Sequence, residues 1–591
     1  MRTPRKKAPA QYFPKSHPAA LLLWFVLLFP HANGQNRFPP NYFTAPIDTP
    51  LRLSGGFAEL RNNHLHGGLD FRTGGEEGWP IYAAADGFVG RIRVSGQGYG
   101  NCLYLVHPNG YTTVYGHLSD FAEPIRSWVR NRHYQSRENE LDVHPKADEL
   151  PVKKDQLVAY GGNTGASSGP HLHFEIRHTE TEELINPQWF GLHVDDDVRP
   201  TFDALEFVPL GKNSRVQGQT SDYRMKLRQD SAGFWRAAHD LAVDGTCYVQ
   251  VKVWDKHTDN ELRQGIYRLL LVAGNDTLYE FRADRYAQSE TRYANTVLDY
   301  EAKMLDNETL YRLFRAPGNH LRLVNSEVGN GTLTPPALGK TTYTLYASDF
   351  YGNTSTCSFA IGVGTTPTPA RGMESTRHAE RYEVWVPPGK ALNIERPDLR
   401  LRIPSGTFYD TLKSHITVKP GPGASCSPAF TIGSARIPVH QHFTLAIRSQ
   451  PLPPGLKHRV VALSPNIKGV VVAHAGRWKG DWFETKVRQL GSFYLAADTV
   501  APTIVPQFNS KRDTLTAGQN LRFTLRDALS GIRSFHLYVG EYWNLLTWDA
   551  KSATLSAIID ENAPKGNQNL CLIVHDVAGN EATYSIPIYI P

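Results

Sequence analysis

Cysteine is scarce. Five residues, Cys102, Cys247, Cys357, Cys426 and Cys571, stand in a chain of 591, and no pair has CxxC spacing. That excludes a disulfide-built scaffold and a thiolate zinc ribbon. For Cys247 and Cys357, which fall in one predicted module, two readings stay open: a disulfide in an oxidising compartment, or two buried free thiols.

Long apolar runs are also missing. The one prominent run, Ala19–Phe29, has eleven residues, where spanning a bilayer as a helix takes about 20. It follows Arg2, Arg5, Lys6, Lys7 and Lys15 and precedes small residues at Ala32 and Gly34. Residues 1–34 therefore read as a secretory signal peptide, with an uncleaved anchor as the alternative. No cysteine follows the run, which argues against a lipid anchor, and no later segment reads as transmembrane. The expected location is periplasmic or envelope-associated.

Excess charge of one sign is absent beyond that leader. The whole chain carries +6, with 63 basic and 57 acidic residues; without the five leader cations the balance is 58 against 57. No Lys/Arg run follows, so nothing points to nucleic acid.

What is abundant is turn chemistry: 49 Gly, 40 Pro and 11% aromatics. The chain reads as mainly β, in several domains. Residues 35–197 hold short alternating runs, with Pro108-Asn109-Gly110 as a hairpin turn. An internal echo follows. "VRPT" at 198–201 and "VAPT" at 500–503 each open a β-rich stretch, and "SDFYGN" at 348–353 and "HDVAGN" at 575–580 each precede a last strand. This predicts two related β-sandwich modules, 198–364 and 499–591, the first with a helix in "ANTVLDYEAKMLDNETLYRLF". "GTTPTPARG" at 364–372 reads as a linker, and 365–498 as a further β-rich module.

The chemistry concentrates in 35–197. In "GPHLHFE" (169–175), His171 and His173 share one strand face, while Leu172 and Phe174 face the other way. Upstream, "HGGLD" places His66 and Asp70 around two glycines that would let backbone approach a metal. His66, Asp70 and one histidine of the later pair meet the three-ligand count of a catalytic zinc site with an open position for water. The remaining histidine and His117, in "YGHLS", could serve as proton acceptor or oxyanion partner. His64 is a rival ligand to His66.

Together, "HGGLD", "YGHLS" and "GNTGASSGPHLHFEI" resemble the signature blocks of the M23 (lysostaphin/LytM-type) zinc metallopeptidases, in the family's order, over roughly residues 50–190. The resemblance implies a small antiparallel β-sheet metallopeptidase domain, here followed by β-sandwich (Ig-like) modules. It implies zinc (Zn2+) held by His66, Asp70 and His173, with His171 and His117 catalytic. It also implies peptidoglycan as partner and hydrolysis of peptide bonds in its stems or cross-links. Alternatives are a non-catalytic wall-binding protein or amidase activator, and a zinc D-Ala carboxypeptidase.

Lesser readings complete the expectations. Tyr99, Tyr115, Asn163 and Ser167 are candidate substrate contacts. Glu175 shares the face of His173 and either accepts a histidine N–H or makes a surface salt bridge. The charged insertion 122–149 is a groove wall or a surface excursion, and its His133 and His144 are expected at the surface. "GASSG" (165–169) lacks the helix a nucleophile elbow needs and, like "GQGYG" (96–100), reads as a groove loop.

Overall fold

The computed structural model describes residues 38–258, 261–364, 383–508 and 514–591. The predicted signal peptide 1–34 and nearly all of the predicted linker lie outside them. No helix of the described residues is long and apolar enough to cross a membrane.

The protein is mainly β, as expected. In the first part, β1 (Leu53–Gly55), β2 (Leu60–Arg61), β3 (His64–Leu65) and β4 (Leu69–Arg72) precede β5 (Pro80–Tyr82), β6 (Gly87–Val94), β7 (Asn101–Val106) and β8 (Tyr111–Phe121). Helix α1 (Ile125–Ser136) then leads to β9 (Leu141–Val143), β10 (Pro151–Val152), β11 (Leu157–Gly161), β12 (His171–His178) and β13 (Leu184–Ile185). The main sheet runs in the order β1-β4-β12-β8-β7-β6-β10. Its β12 lies antiparallel between β4 and β8. The β7–β8 hairpin turns at Gly110, whose φ of +83° is costly for any residue with a Cβ. Along β12 the alternation is strict. Leu172, Phe174 and Ile176 are wholly buried in the core with Phe71, Leu103 and Leu105. Each such side chain contributes roughly 1.5–3 kcal/mol by leaving water. The opposite face carries His171, His173, Glu175 and Arg177.

Downstream lie three β-rich bodies. A ten-stranded sheet begins at Thr201–Val216 and closes on Thr354–Val363. Residues 384–497 form two five-stranded sheets and one short strand pair. Residues 503–590 form two four-stranded sheets. The sequence echo has a geometric counterpart. Asn353 N donates to Asp349 Oδ1 (2.9 Å), and Asn580 N to Asp576 Oδ1 (2.7 Å). Each asparagine side chain also reaches back to the backbone O of Asp196 or Asp498, before the two Val-x-Pro-Thr openings.

One open reading is decided and two expectations are corrected. Cys247 and Cys357 are buried free thiols, not a disulfide, and burial pushes each up to about 12. The helix expected over 294–314 is broken into Ala294–Val297 and Tyr300–Asp306, the second capped by Asp299 and stopped by Asn307 at φ +55°. The insertion contains α1, with Ile125, Val129 and His133 buried, so His133 is an interior residue whose Nδ1–H is held by Glu138 O at 2.7 Å. His144 is exposed, as expected.

The insertion is a platform for the last body. Arg130 Nη2 meets Asp560 Oδ2 at 2.8 Å, Tyr134 packs on Trp543, and Asn139 bonds to both Phe535 O and Leu546 N. Between them lies a cavity of about 950 Å³ bordered by Asn163, Thr164, Trp548 and Lys551. On the other side, one continuous apolar core runs from Phe38 to Ile361, and β13 pairs with Arg285–Tyr286.

Candidate metal and active site

Three neighbouring strands bring the site together. Asp70 on β4 and His173 on β12 are directly opposed in register, and His173 is opposite Gly116 on β8. His66 comes from the turn between β3 and β4. His66 Nε2, Asp70 Oδ1 and His173 Nδ1 form a triangle with edges of 2.9, 2.8 and 2.9 Å. All three residues are buried, and they form a group that could hold a metal ion. His64 is exposed, with Nδ1–H on Asn62 O, and takes no part.

Each of these residues has its second polar atom committed elsewhere. His66 Nδ1–H donates to Gly56 O at 2.7 Å, fixing the tautomer with a lone pair on Nε2. His173 Nε2–H donates to Glu175 Oε1 at 2.9 Å, which turns its Nδ1 toward the triangle. Asp70 Oδ2 takes Arg61 Nη2 at 2.5 Å, leaving Oδ1. The same logic sets the other histidines. His171 Nδ1–H is held by Gly169 O at 2.8 Å and His117 Nδ1–H by Thr164 O at 2.7 Å. His171 Nε2 is buried without a partner, 3.4 Å from Asp70 Oδ1.

The centre is therefore a cluster of acceptors: imidazole lone pairs around a carboxylate oxygen. Only a cation or a proton satisfies such a set, and two imidazoles with one carboxylate are zinc-type donors. Burial, then Arg61, pushes His66 down to about 4, and burial pushes His117 down to about 3, so both stay neutral and open at neutral pH. Burial alone would lower His173 too, but its bonds to Asp70 and Glu175 outweigh that and raise it to about 9, so without a metal its Nδ1 holds a proton shared with Asp70 Oδ1 that a bound cation would displace. Burial would raise Asp70, but His66 and Arg61 hold its carboxyl well below the usual range.

His117 reaches the site through a bulge. Regular alternation in β8 would point it with Tyr115 into the core, away from the face of Gly116 and His173. Pairing slips near this point on both sides of β8, and His117 takes φ +61°. Its ring then lies 4.8 Å from that of His171 and 5.8 Å from that of His173.

The glycines of "HGGLD" have a packing task. A Cβ on Gly67 would sit 2.4 Å from Glu175 Oε1, and one on Gly68 2.1 Å from Phe174 O. They let the chain pass tightly over β12. Among the candidate substrate contacts, Tyr115 is wholly buried, its OH bonded to Ala84 N and Thr113, and belongs to the core. Tyr99 stacks on His173 and donates to Glu175 Oε1 at 2.6 Å, supporting the site from behind. Ser167 Oγ is turned into its own loop, onto Gly169 O at 2.8 Å. Asn163 borders the large cavity, and its backbone O receives Lys551.

The reading of residues missed Arg61 and Arg177. Glu175 is no surface salt bridge: it is buried between His173 and Arg177, whose Nη2 lies 2.6 Å away. The signal was the continued alternation His171-x-His173-x-Glu175-x-Arg177, a ladder on one face.

A family model described as peptidase family M23 matches residues 64–187, and one described as a Zu5-like domain matches residues 384–498. The DD-carboxypeptidase/endopeptidase Mpg of Neisseria meningitidis serogroup B is 33% identical over 118 residues, covering 20% of this chain and 21% of that protein. The peptidoglycan DD-endopeptidase ShyA of Vibrio cholerae serotype O1 is 30% identical over 137 residues, covering 22% and 26%. A solved zinc-containing peptidase from Vibrio cholerae is 29% identical, covering 23% of this chain and 37% of that one, at a TM-score of 0.17. The chain thus spans about a fifth to a quarter of the curated relatives it matches. With its three histidine-bearing blocks gathered on adjacent strands and matched as one stretch, the segment 64–187 is a domain of peptidase family M23.

Proposed function

We propose that this protein is an exported zinc endopeptidase that hydrolyses peptide bonds in the stems or cross-links of bacterial peptidoglycan. Its arrangement would be a peptidase domain (35–197) followed by β modules at 198–364, 365–498 and 499–591. The observation that carries the reading is the convergence of His66 Nε2, Asp70 Oδ1 and His173 Nδ1, with the unpaired His171 Nε2 beside them.

His66, Asp70 and His173 would hold the zinc, which when bound supplies a Lewis acid that polarises a carbonyl and acidifies water. His171 Nε2 is free to accept a proton from the attacking water and to pass it to the leaving amine. His117, neutral and with its N–H already given to Thr164 O, offers a second acceptor that orients that water. Glu175 and Tyr99 hold the His173 ring in place. Asp70 is kept ionised by Arg61, so the donor set keeps its charge.

A second reading, removal of a terminal D-Ala, draws support from the relative whose name carries both carboxypeptidase and endopeptidase activity. One experiment separates the readings: purified muropeptides incubated with the full-length protein, then mass spectrometry. Splitting of cross-linked dimers, lost on chelation and restored by zinc, is the expected result. Loss of a single alanine instead supports the carboxypeptidase. Stoichiometric zinc with no cleaved bond overturns both and leaves a wall-binding protein.

A further inference from the structure

A second cluster of acceptors lies where the peptidase sheet meets the ten-stranded body. Asp196, Asp255 and Asp349 bring carboxylate oxygens within 4.8 Å of one another. All three line a small cavity of about 30 Å³ together with His257 and Gln264. That volume is about the share of one water molecule in the liquid.

Besides His257 Nδ1, three polar atoms there have no partner. They are Asp196 Oδ2, on a wholly buried side chain, Asp255 Oδ1, on a residue 3% exposed, and Gln264 Oε1, on a residue 4% exposed. With the carboxyls ionised all three are acceptors, and none can then satisfy another. No lysine or arginine lines the cavity among the described residues. His257 cannot balance the charge, because burial pushes it down to about 4. Burial raises all three carboxyls, and repulsion from neighbouring carboxylates adds to it at Asp255, pushed up to about 8, and at Asp196, pushed up to about 7, so without a cation protons take its place.

The chain contains its own comparison. The echo places Asp498, Asp527 and Asp576 in the same arrangement in the last body. There, loop N–H groups enter the cluster. Ser530 N donates to Asp498 Oδ2 at 3.0 Å, and Leu529 N and Gly531 N donate to Asp527 Oδ2 at 3.1 and 2.6 Å. Only Asp527 Oδ1 stays unpaired. At the first cluster the cavity is lined instead by Gln264, whose side-chain Oε1 is unpaired, and Asp196 Oδ2 and Asp255 Oδ1 are left open.

We propose that Asp196, Asp255 and Asp349, with Gln264 Oε1, bind one hard divalent cation of the calcium class at the junction between the peptidase sheet and the ten-stranded body. Oxygen-only donors select such an ion over zinc or copper. The site is separate from the histidine centre but touches its support. Gly56, whose carbonyl orients His66, also lines the cavity. The cation would therefore tie the two bodies together and stiffen the segment that aims His66. The inference stands whether or not the peptidase reading holds.

The test uses the full-length protein, zinc-loaded and freed of calcium by a calcium-selective chelator. Calcium binding is measured by equilibrium dialysis for wild type, Asp255→Asn and Asp527→Asn. We expect one calcium per chain in wild type and in Asp527→Asn, none in Asp255→Asn, and a calcium-dependent rise in Tm only where calcium binds. No calcium bound by wild type at millimolar concentration, or unchanged binding in Asp255→Asn, overturns the site. Should Asp255→Asn not fold, Gln264→Leu leaves the carboxylates in place and decides. Terbium luminescence excited through the tyrosines, displaced by calcium, reads the affinity. A tenfold or greater weakening is expected, and an unchanged affinity overturns the proposal.

Discussion

In the tautomer whose Nδ1–H is given to Gly169 O at 2.8 Å, His171 Nε2 is an acceptor facing Asp70 Oδ1 across 3.4 Å. Two acceptors at that separation define an open position rather than a bond. Replacing His171 by alanine should leave zinc stoichiometry unchanged and lower kcat by about 10²–10⁴, the range for losing a general base. Metal analysis alongside turnover of cross-linked muropeptides checks it. Loss of zinc from the variant would instead make His171 a ligand.

Removing a corner of the triangle has a different signature. Asp70→Ala or His66→Ala should abolish both stoichiometric zinc and hydrolysis, since each supplies one corner of the triangle. Added zinc should not restore the variants, whereas it restores wild type after chelation.

Glu175→Gln tests the support behind His173. The glutamine keeps an acceptor for His173 Nε2–H but leaves the Arg177 charge buried without its partner. Zinc affinity should fall about 10–100-fold. Stability should fall by about 3 kcal/mol, typical of an orphaned buried charge. Competition with a chromophoric chelator and urea unfolding measure the two effects separately.

Acid should loosen the junction near His440. Its ring stacks on Tyr293 at 4.3 Å, and burial, then Arg292 and Arg488, pushes it down to about 4. An unfolded histidine titrates near 6.5. Between those values the unfolded chain binds the proton and the folded one does not. The stabilisation is therefore complete above about pH 6.5 and is lost as pH falls toward 4. The Tm of wild type should drop more steeply across that window than that of His440→Gln; parallel curves would remove His440 from the account.

Asp560→Ala should free the last body from α1. Asp560 is nearly buried while Arg130 is largely exposed, so what is lost is chiefly Asp560's bonds to Tyr134 and Arg130. Amide exchange in α1 and in Tyr542–Asn544 should quicken, with the ten-stranded body unaffected.

Much of this was legible in the residues because it follows strand periodicity. The face shared by His171 and His173, the core face of Leu172 and Phe174, and the repeat from Asp349 to Asp576 all need only alternation and turn chemistry. What escaped depends on distance along the chain. Arg61 and Asp70 are paired by a turn, not by a pattern. His117 needs a bulge that breaks the very alternation used to read the strand. Tyr115 carries the look of a groove residue, but only register reveals that it lies on the inner face. His133 sits in a charged segment, and its burial comes from the turn of α1 against the sheet.

The unbroken packing from Phe38 to Ile361 bears on how the protein can be dissected. A cut after residue 197 would strip β13 of Arg285–Tyr286 and leave Leu65 O without the Tyr286 hydroxyl it accepts at 3.1 Å, one residue from His66. The smallest piece able to keep the geometry of the histidine site therefore ends near residue 364. Loss of activity on shorter truncation would report a damaged scaffold, not the removal of a separate targeting unit.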